Sequence, residues 1–307
     1  MFAGSTPTER SKNLRNRAKI LGAIRSFFSE NDFFEVETPH RIPLPIPEAH
    51  IDLIDSGSWV LHPSPEICMK RLLAAGFERI FQLCRCWRNG ERGSLHLPEF
   101  TLLEWYRTDA DYLKIMDDCE ALVRSVAAAV GLQNGIHRHG KTTSLVETWE
   151  RLTVRDAFHR YSGISAEEAL AKDLFDEIMV CKIEPQLGLN TPTFLMEYPS
   201  ERGSLARKKH GQENVAERFE LYIGGLELAN AFSELVDSEE QRSRFLQEQQ
   251  IRAAAGKTVY PLPEKFLQEL SSVPPSAGIA FGIDRLVMLL LEAESIDEVV
   301  AFTPEEL

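Results

Sequence analysis

The sequence has 307 residues, of which 43% are hydrophobic, and it can bury the core of one large domain or two modest ones. Its 34 basic and 47 acidic residues give a formal net charge of −13, which disfavours broad contact with the phosphate backbone of a nucleic acid. The five cysteines include no CxxC pair, so neither a disulfide framework nor a zinc site is predicted. We see no signal peptide and no run of about 18 apolar residues, so we expect a soluble cytoplasmic protein without membrane contact.

The first half of the chain predicts two helices and two long strands. Apolar residues recur at three- and four-residue steps over 13–28, as in an amphipathic helix. Four prolines over 39–47 favour an extended, turn-rich passage, and a second helix is predicted over 65–75. Strand-like runs follow over 79–89 and 99–108, joined by a loop that contains glycine.

The middle of the chain continues the mixture of helices and strands. Helices are predicted over 112–131 and 165–180. The stretch 201–213 is polar and without periodicity, so we expect a mobile loop there. Strands are predicted over 217–223 and 227–236, around a Gly-Gly turn.

The C-terminal part predicts a charged helix over 238–255, a short strand after Pro274-Pro275, and a closing apolar helix that Gly282 opens. Helices and long strands alternate irregularly along the whole chain. This pattern predicts an α+β fold with an antiparallel sheet flanked by helices, in a single domain over 1–307.

The strand over 99–108 predicts one polar-aromatic face. Because side chains alternate along a strand, Phe100, Glu104 and Tyr106 share one face, while Leu103 and Trp105 occupy the other. Such a face either lines a site or is simply solvated, and the strand alone does not decide between the two.

The strand over 227–236 has the same organisation. Asn230, Phe232 and Glu234 share one face, and small residues occupy the other, where another layer can pack closely. The polar face indicates either the lining of a concave surface or an exposed edge strand.

The closing helix carries Arg285 in its first turn. The helix dipole repels a cation there by roughly 0.3–1 kcal/mol, which a bound anion would offset. The alternatives are an arginine that reaches towards solvent or one that pairs with Asp284.

Three runs, taken in order, resemble the signature motifs of class II aminoacyl-tRNA synthetases. They are FFEVETP over 33–39, WRNGERGSLHLPEF over 87–100 and GIDR over 282–285. Further runs resemble the lysine group of that class: SPEICMKRLL, EFTLLEWY, ERFELYIGGLELANAFSEL and AGIAFGIDRLVMLL. The resemblance covers nearly the whole chain and implies the class II catalytic fold, ATP as a substrate and Mg²⁺ as a cofactor.

The resemblance implies a set of nucleotide-binding residues. Arg88 would contact the α-phosphate and Arg285 the γ-phosphate as the two catalytic cations, because a planar guanidinium suits phosphate oxygens. His96 would assist at the terminal phosphates, and Phe100 would stack on adenine. The residues implied to bind ATP or its Mg²⁺ are Arg88, Asn89, Glu91, His96, Phe100, Glu220, Glu227, Gly282 and Arg285. Of these, Glu220 and Glu227 would hold the metal ion.

The resemblance also implies a pocket for a lysine-like amino acid. Glu104, Glu234 and Tyr106 would hold the side-chain ammonium, which explains selection against neutral amino acids. Glu66 would bind the substrate amine, and Asn230 its carboxylate region. The residues implied to bind the substrate are Glu66, Glu104, Tyr106, Asn230, Phe232, Glu234 and Ala280.

Two positions depart from the family pattern. Gly90 stands where a glutamate usually follows Arg-Asn, so a carboxylate near ATP is missing unless Glu91 replaces it. Leu97 stands where an asparagine usually follows the histidine.

Within the lysine group, the chain looks like the elongation factor P lysyltransferases. The first helix begins too early to leave room for an N-terminal OB-fold anticodon domain, so tRNA is not the expected acceptor. Ala280 stands where tRNA-charging enzymes usually have glycine and favours (R)-β-lysine, whereas Ser233 resembles the tRNA-charging enzymes. Elongation factor P would be the protein substrate, and motif 1, with Phe33 and Phe34, predicts a homodimer. A truncated lysyl-tRNA synthetase and a catalytically silent lysine-binding paralogue remain the alternatives.

Overall fold

The structure is a computed structural model that describes residues 7–307. Its α-helices are α1 (Pro7–Glu30), α2 (Glu66–Ala74), α3 (Tyr112–Ala129), α4 (Val154–Tyr161), α5 (Ala166–Ala171), α6 (Phe175–Ile178), α7 (Ser238–Ala254), α8 (Glu264–Leu270) and α9 (Ile283–Leu290). Its strands are β1 (Phe34–Glu35), β2 (Arg41–Ile42), β3 (Ile54–Ser56), β4 (Trp59–Leu61), β5 (Arg79–Trp87), β6 (Glu99–Thr108), β7 (Gly135–Arg138), β8 (Lys141–Ser144), β9 (Glu150–Thr153), β10 (Thr193–Pro199), β11 (Lys208–Lys209), β12 (Gln212–Ile223), β13 (Leu226–Ser233) and β14 (Ser276–Gly282).

One large sheet organises the described chain. Its strands follow the order β1-β5-β6-β14-β13-β12-β10-β9, and β11 pairs with β12. The β1–β5 and β9–β10 pairs are parallel, whereas the central pairs from β5 to β10 are antiparallel. The prediction of an α+β fold with an antiparallel sheet is confirmed.

Helices α1, α3 and α9 cover one face of the sheet. Asp111 caps the start of helix α3, because its carboxylate accepts hydrogen bonds from the backbone N–H groups of Leu113 and Lys114. Its apolar face packs with Ile20 and Ile24 of α1 and with Trp105 of β6 in a single buried cluster. Because Leu103 and Trp105 face this core, the alternate residues of β6 point to the opposite side of the sheet.

The predicted helix over 165–180 is wrong as a continuous element. Helix α5 ends at Ala171, and Asp173 adopts a left-handed backbone conformation with φ of 54°. Helix α6 and a π-helical turn over Met179–Ile183 follow. The apolar residues of both pieces, including Ala169 and Phe175, still face one buried cluster, so burial is preserved across the break.

The segment 201–213, predicted to be a mobile loop, contains regular structure. It begins in a 3₁₀ turn over Ser200–Arg202, includes β11 and ends at the start of β12. Leu205 and Ala206 are buried, and the backbone N–H of Arg207 donates to the carbonyl of Ser233 at 2.8 Å. Its mobility stays a prediction.

Helix α1 is fastened to the last residues of the chain. Arg10 donates to the Val300 carbonyl at 3.0 Å and forms an ion pair with Glu306 at 2.7 Å. Asn13 donates to the Glu298 carbonyl at 3.2 Å. These bonds fix the N-terminal part of α1 against the segment that follows α9.

No helix among the described residues combines the length and the apolar character that crossing a membrane requires.

Candidate active site

Strand register assembles the predicted polar residues in rows on the face of the sheet opposite α1 and α3. Glu104 on β6, Ala280 on β14 and Asn230 on β13 are successive neighbours, and Glu220 on β12 extends this row. In the next row, Tyr106, Gly278 and Phe232 are neighbours on the same three strands. Neither the solvated face considered for β6 nor the exposed edge considered for β13 is present, because both strands are central and Glu104 and Tyr106 are buried.

A cavity of about 320 Å³ opens on this face. Nine of the predicted residues line it: Arg88, Glu91, His96, Phe100, Glu227, Asn230, Ala280, Gly282 and Arg285. Asn89 is exposed and does not line this cavity; its backbone N–H donates to the carbonyl of Asp52 at 2.7 Å. A larger cleft of about 590 Å³, which includes Thr153 and Asn214, contains none of the predicted site residues.

Arg88 offers an unoccupied donor beside the cavity. Its guanidinium carbon lies 5.1 Å from the centre of the Phe100 ring, which is a cation–π distance. Its Nε is buried and has no hydrogen-bond partner among residues 7–307. Glu91 lies 3.8 Å from the other end of the guanidinium, so a carboxylate is present beside Arg88 despite Gly90.

Arg285 points into the cavity. Its Nη1 donates to the Glu227 carbonyl at 2.8 Å and lies 3.5 Å from the Glu227 carboxylate, and its Nη2 contacts His96. Partial burial and the charge of Arg285 lower the pKa of His96, so this ring is neutral and can accept a hydrogen bond.

Asp284 is not the partner of its neighbour Arg285. Its carboxylate lies 2.6 Å from Arg17 of α1 and accepts from the backbone N–H of Thr101 at 2.6 Å. All three residues are buried, so Asp284 ties the start of α9 to α1 and β6. The alternative of an Asp284–Arg285 pair is therefore wrong.

The two acidic residues predicted to hold a metal ion have different surroundings. Glu220 accepts from Arg218 at 2.6 Å and from the hydroxyls of Tyr198 and Tyr222 at 2.7 Å each. For Glu227, removal from water and the charge of Glu220 raise the pKa to about 7. A divalent cation would relieve this repulsion, so the two carboxylates suit a hard oxygen-seeking ion such as Mg²⁺.

A second, more deeply buried group of acids lies next to the cavity. Glu104 accepts from the hydroxyls of Ser64 at 2.6 Å and Tyr106 at 2.9 Å. Burial and the charge of Glu66 raise the pKa of Glu104 well above its usual range. A buried carboxylate of this kind is stabilised in its ionised form when a cation, such as the ammonium group of a ligand, binds beside it.

Lys70 is a central member of this group that the sequence interpretation missed. Its Nζ lies 2.5 Å from Glu66 and 2.5 Å from Glu234, and 5.1 Å from the centre of the Phe232 ring. Burial opposes the charge of Lys70, but the two carboxylates outweigh it and raise the pKa of the ammonium. The available signal was the spacing of four residues from Glu66 in a predicted helix, which puts both side chains on one face.

Glu234 keeps one acceptor open. Its Oε2 pairs with Lys70, whereas its buried Oε1 has no partner within the described part of the chain. A Cβ added to Gly278 would lie 2.8 Å from this oxygen and 2.3 Å from the Tyr106 ring. The missing side chain of Gly278 therefore lets Tyr106 and Glu234 lie close against β14, and strand periodicity alone gave no indication of this contact.

Two further residues of the site were not predicted. Arg218 is fixed between Asn230, to which it donates at 3.0 Å, and Glu220. Glu48, from the proline-rich passage, lines the cavity, and burial together with the charge of Glu66 raises its pKa to about 7. Loop residues such as Glu48 carry no periodic signal.

Comparisons with known proteins show which family this sequence resembles along nearly its whole length. The sequence model of the family described as tRNA synthetases class II (D, K and N) matches residues 5–306. The elongation factor P–(R)-β-lysine ligase of Salmonella dublin is 38% identical over 313 residues, which cover 97% of this chain and 96% of that protein. The ligase of the same name from Edwardsiella ictaluri is 38% identical over 318 residues, covering 98% of each chain.

Proposed function

The chain belongs to the class II tRNA synthetase family of the D, K and N type, and from this premise we propose that it is an elongation factor P–(R)-β-lysine ligase. It activates (R)-β-lysine with ATP and transfers it to a lysine side chain of elongation factor P. The observation that carries the proposal is the buried acidic group around Glu104 and Glu234, which adjoins a cavity lined by Arg88 and Arg285.

In the first step, a carboxylate oxygen of the amino acid attacks the α-phosphorus of ATP, and pyrophosphate leaves. Both reactants are anionic, so positioned cations supply much of the rate. Arg88, whose Nε is buried without a partner among the described residues, binds the α-phosphate, and Arg285 binds the γ-phosphate. Glu220 and Glu227 would hold Mg²⁺, which would offset phosphate charge.

In the second step, the unprotonated amine of the acceptor lysine attacks the carbonyl carbon of the adenylate. An amide bond forms, AMP leaves, and the amine nitrogen loses a proton. The product is elongation factor P with an amide-linked β-lysyl group.

The charges of the pocket fit a diamino acid. With two ammonium groups bound, the carboxylates of Glu66, Glu104 and Glu234 are ionised despite the raised pKa of Glu104 and carry three negative charges, of which the ammonium of Lys70 offsets one. The two remaining charges match the two ammonium groups of β-lysine. A neutral side chain would leave Glu234 Oε1 buried without a donor, which costs about 1–3 kcal/mol or more for a charged group.

The protein acts as a homodimer in the cytoplasm in this proposal. Phe33 is 7% exposed and belongs to the core, so the apolar surface near motif 1 comes instead from Phe34, which is 60% exposed, and Phe77, which is 38% exposed. The two exposed rings lie 5.8 Å apart at the edge strand β1. An active monomer at micromolar concentration in sedimentation would contradict the dimer.

The proposal is tested by two assays on the purified protein. ATP–pyrophosphate exchange with α- and β-lysine tests adenylate formation, and the absence of exchange with both isomers would favour a silent lysine-binding paralogue. Transfer to elongation factor P is then compared with transfer to total tRNA, and charging of tRNA alone would favour a truncated lysyl-tRNA synthetase.

Variants test the assigned cations. Arg88→Ala and Arg285→Ala should each lose exchange activity while remaining folded, because each removes a phosphate contact from an open cavity. Arg242→Ala is the control, because Arg242 pairs with Glu264 on the exposed surface of α7. Retained exchange in either cavity variant would refute the role assigned to that residue.

A further inference from the structure

Two thiols and an imidazole meet beside the ATP cavity, in a group that the proposed reaction does not use. Cys84 and Cys86 lie on the same face of β5, and His62 follows β4. The two Sγ atoms are 3.9 Å apart, and both lie within 4.8 Å of a ring nitrogen of His62. The exposed fractions are 1% for His62, 8% for Cys84 and 0% for Cys86.

The spacing of the thiols fits a shared metal ion. Zinc–thiolate bonds of about 2.3 Å in a tetrahedral site put two sulfurs about 3.8 Å apart. Cys84 and Cys86 are two residues apart on an extended strand, so their Cα atoms are about 6.6–6.8 Å apart, which is the upper limit for a disulfide. An ion between the sulfurs therefore fits β5 better than a direct bond.

Hydrogen bonds hold the His62 ring in place and fix its tautomer. His62 Nε2 lies 2.9 Å from the carbonyl oxygen of Arg85, which can only accept, so Nε2 carries the proton and Nδ1 the lone pair of the neutral ring. A histidine that binds a metal usually donates its other N–H to a carbonyl or carboxylate in this way. Backbone bonds from His62 to His40 at 2.9 Å and from Trp87 to His62 at 3.1 Å hold the residue in place.

The charges of the group also favour a dication. Two thiolates 3.9 Å apart in a buried place repel each other unless a cation lies between the sulfurs. One divalent ion with two thiolates is neutral, which suits a buried position.

We propose that His62, Cys84 and Cys86 form a Zn²⁺ site, with a fourth position for water or another small ligand. The Cys-x-Cys spacing alone did not predict it, because the third ligand comes from the end of another strand. The exposed ring of His40 stacks on His62 with centroids 5.3 Å apart, so the group lies one layer below the surface, where an ion can reach it.

The test uses the full chain in reduced, metal-free form, with Co²⁺ as a spectroscopic probe. We expect one Co²⁺ per chain, a thiolate-to-metal charge-transfer band, and displacement by Zn²⁺. Cys86→Ser and His62→Gln should each weaken Zn²⁺ binding about 100-fold or more, because loss of a ligand exceeds the effect of losing an outer partner. The double variant Cys68→Ser/Cys181→Ser removes two thiols outside the group and should bind unchanged.

A second measurement needs no variant and so does not depend on how the variants fold. In urea below the unfolding midpoint, where local opening exposes buried thiols, Zn²⁺ should slow the alkylation of Cys84 and Cys86 of the wild-type protein, read by mass spectrometry, and leave the exposed Cys181 reactive. The proposal is overturned if the Co²⁺ band survives in Cys86→Ser, if the control double variant loses it, or if Zn²⁺ leaves the alkylation pattern unchanged. Formation of a Cys84–Cys86 disulfide that persists under the metal-binding conditions would also overturn it.

Discussion

One methyl group added at Gly278 would collide with the side chains of Tyr106 and Glu234. In Gly278→Ala, the new Cβ would lie 2.3 Å from two atoms of the Tyr106 ring and 2.8 Å from Glu234 Oε1. Carbon atoms in contact prefer about 3.5–4.0 Å, so the ring would have to move by more than about 1 Å. Tyr106 is 3% exposed and donates to Glu104 at 2.9 Å, so it cannot move without losing that bond.

The expected size of the effect follows from these contacts. A lost hydrogen bond to a charged group costs about 1.5–3 kcal/mol, which corresponds to about 10- to 150-fold in affinity. We therefore expect KM for β-lysine to rise by about 10- to 150-fold. KM for ATP should stay within about threefold, because Gly278 does not line the cavity that contains Arg88 and Arg285.

Pyrophosphate exchange at varied β-lysine and varied ATP separates the two constants. Gly93→Ala is the matched control, because the same methyl group added in the loop after β5 would meet no atom within 4 Å among the described residues. An unchanged KM for β-lysine in Gly278→Ala would refute the pocket as described. An equal rise in both KM values would show a general loss of structure instead.

Three further predictions concern single groups. Ala280→Gly, between Glu104 and Asn230, should raise α-lysine relative to β-lysine activity by about 10- to 200-fold in kcat/KM; a ratio constant within about threefold would leave the isomer choice to another residue. Asp284→Asn should lower the free energy of unfolding in urea by about 3–5 kcal/mol, because it leaves Arg17 buried without its anion; a loss below about 1 kcal/mol would contradict this. The raised pKa of Glu227, about 7, keeps that carboxyl protonated at lower pH. The apparent Mg²⁺ affinity in exchange assays should therefore fall as the pH decreases below 7 and level off above it. A flat profile from pH 6 to 8 would refute the role of Glu227.

The sequence predicted side-chain faces better than it predicted neighbours. The two-residue period placed Glu104 with Tyr106, and Asn230 with Phe232, on the side of the sheet where the structure has them. Periodicity cannot supply the register between strands, because pairing joins distant parts of the chain. Gly278 beside Tyr106 follows only from that register.

The contacts of Lys70 and the break at Asp173 show two other limits. Lys70 meets Glu234 because α2 packs over the sheet, a tertiary contact that no local pattern encodes. Around Asp173 the sequence keeps a helical periodicity although this residue has a left-handed backbone conformation. The reason is that α5 and α6, on either side of it, bury their apolar side chains in the same cluster. The remaining site residues were assigned from the resemblance to class II synthetases, because the motifs of a family mark residues that its fold brings together.

The bonds from α1 to the C-terminal segment have a consequence for biosynthesis. Arg10 and Asn13 are synthesised 285 to 296 residues before their partners Val300, Glu298 and Glu306. Asp284, which fixes α1 beside Arg285, is also synthesised long after α1. The packing of α1 on α3 can form early in synthesis, whereas the polar bonds of α1 to the C-terminal segment form only later, and contacts of such sequence separation slow folding. Termination shortly before Asp284 would therefore leave α1 packed on α3 while Arg17 lacks its buried anion.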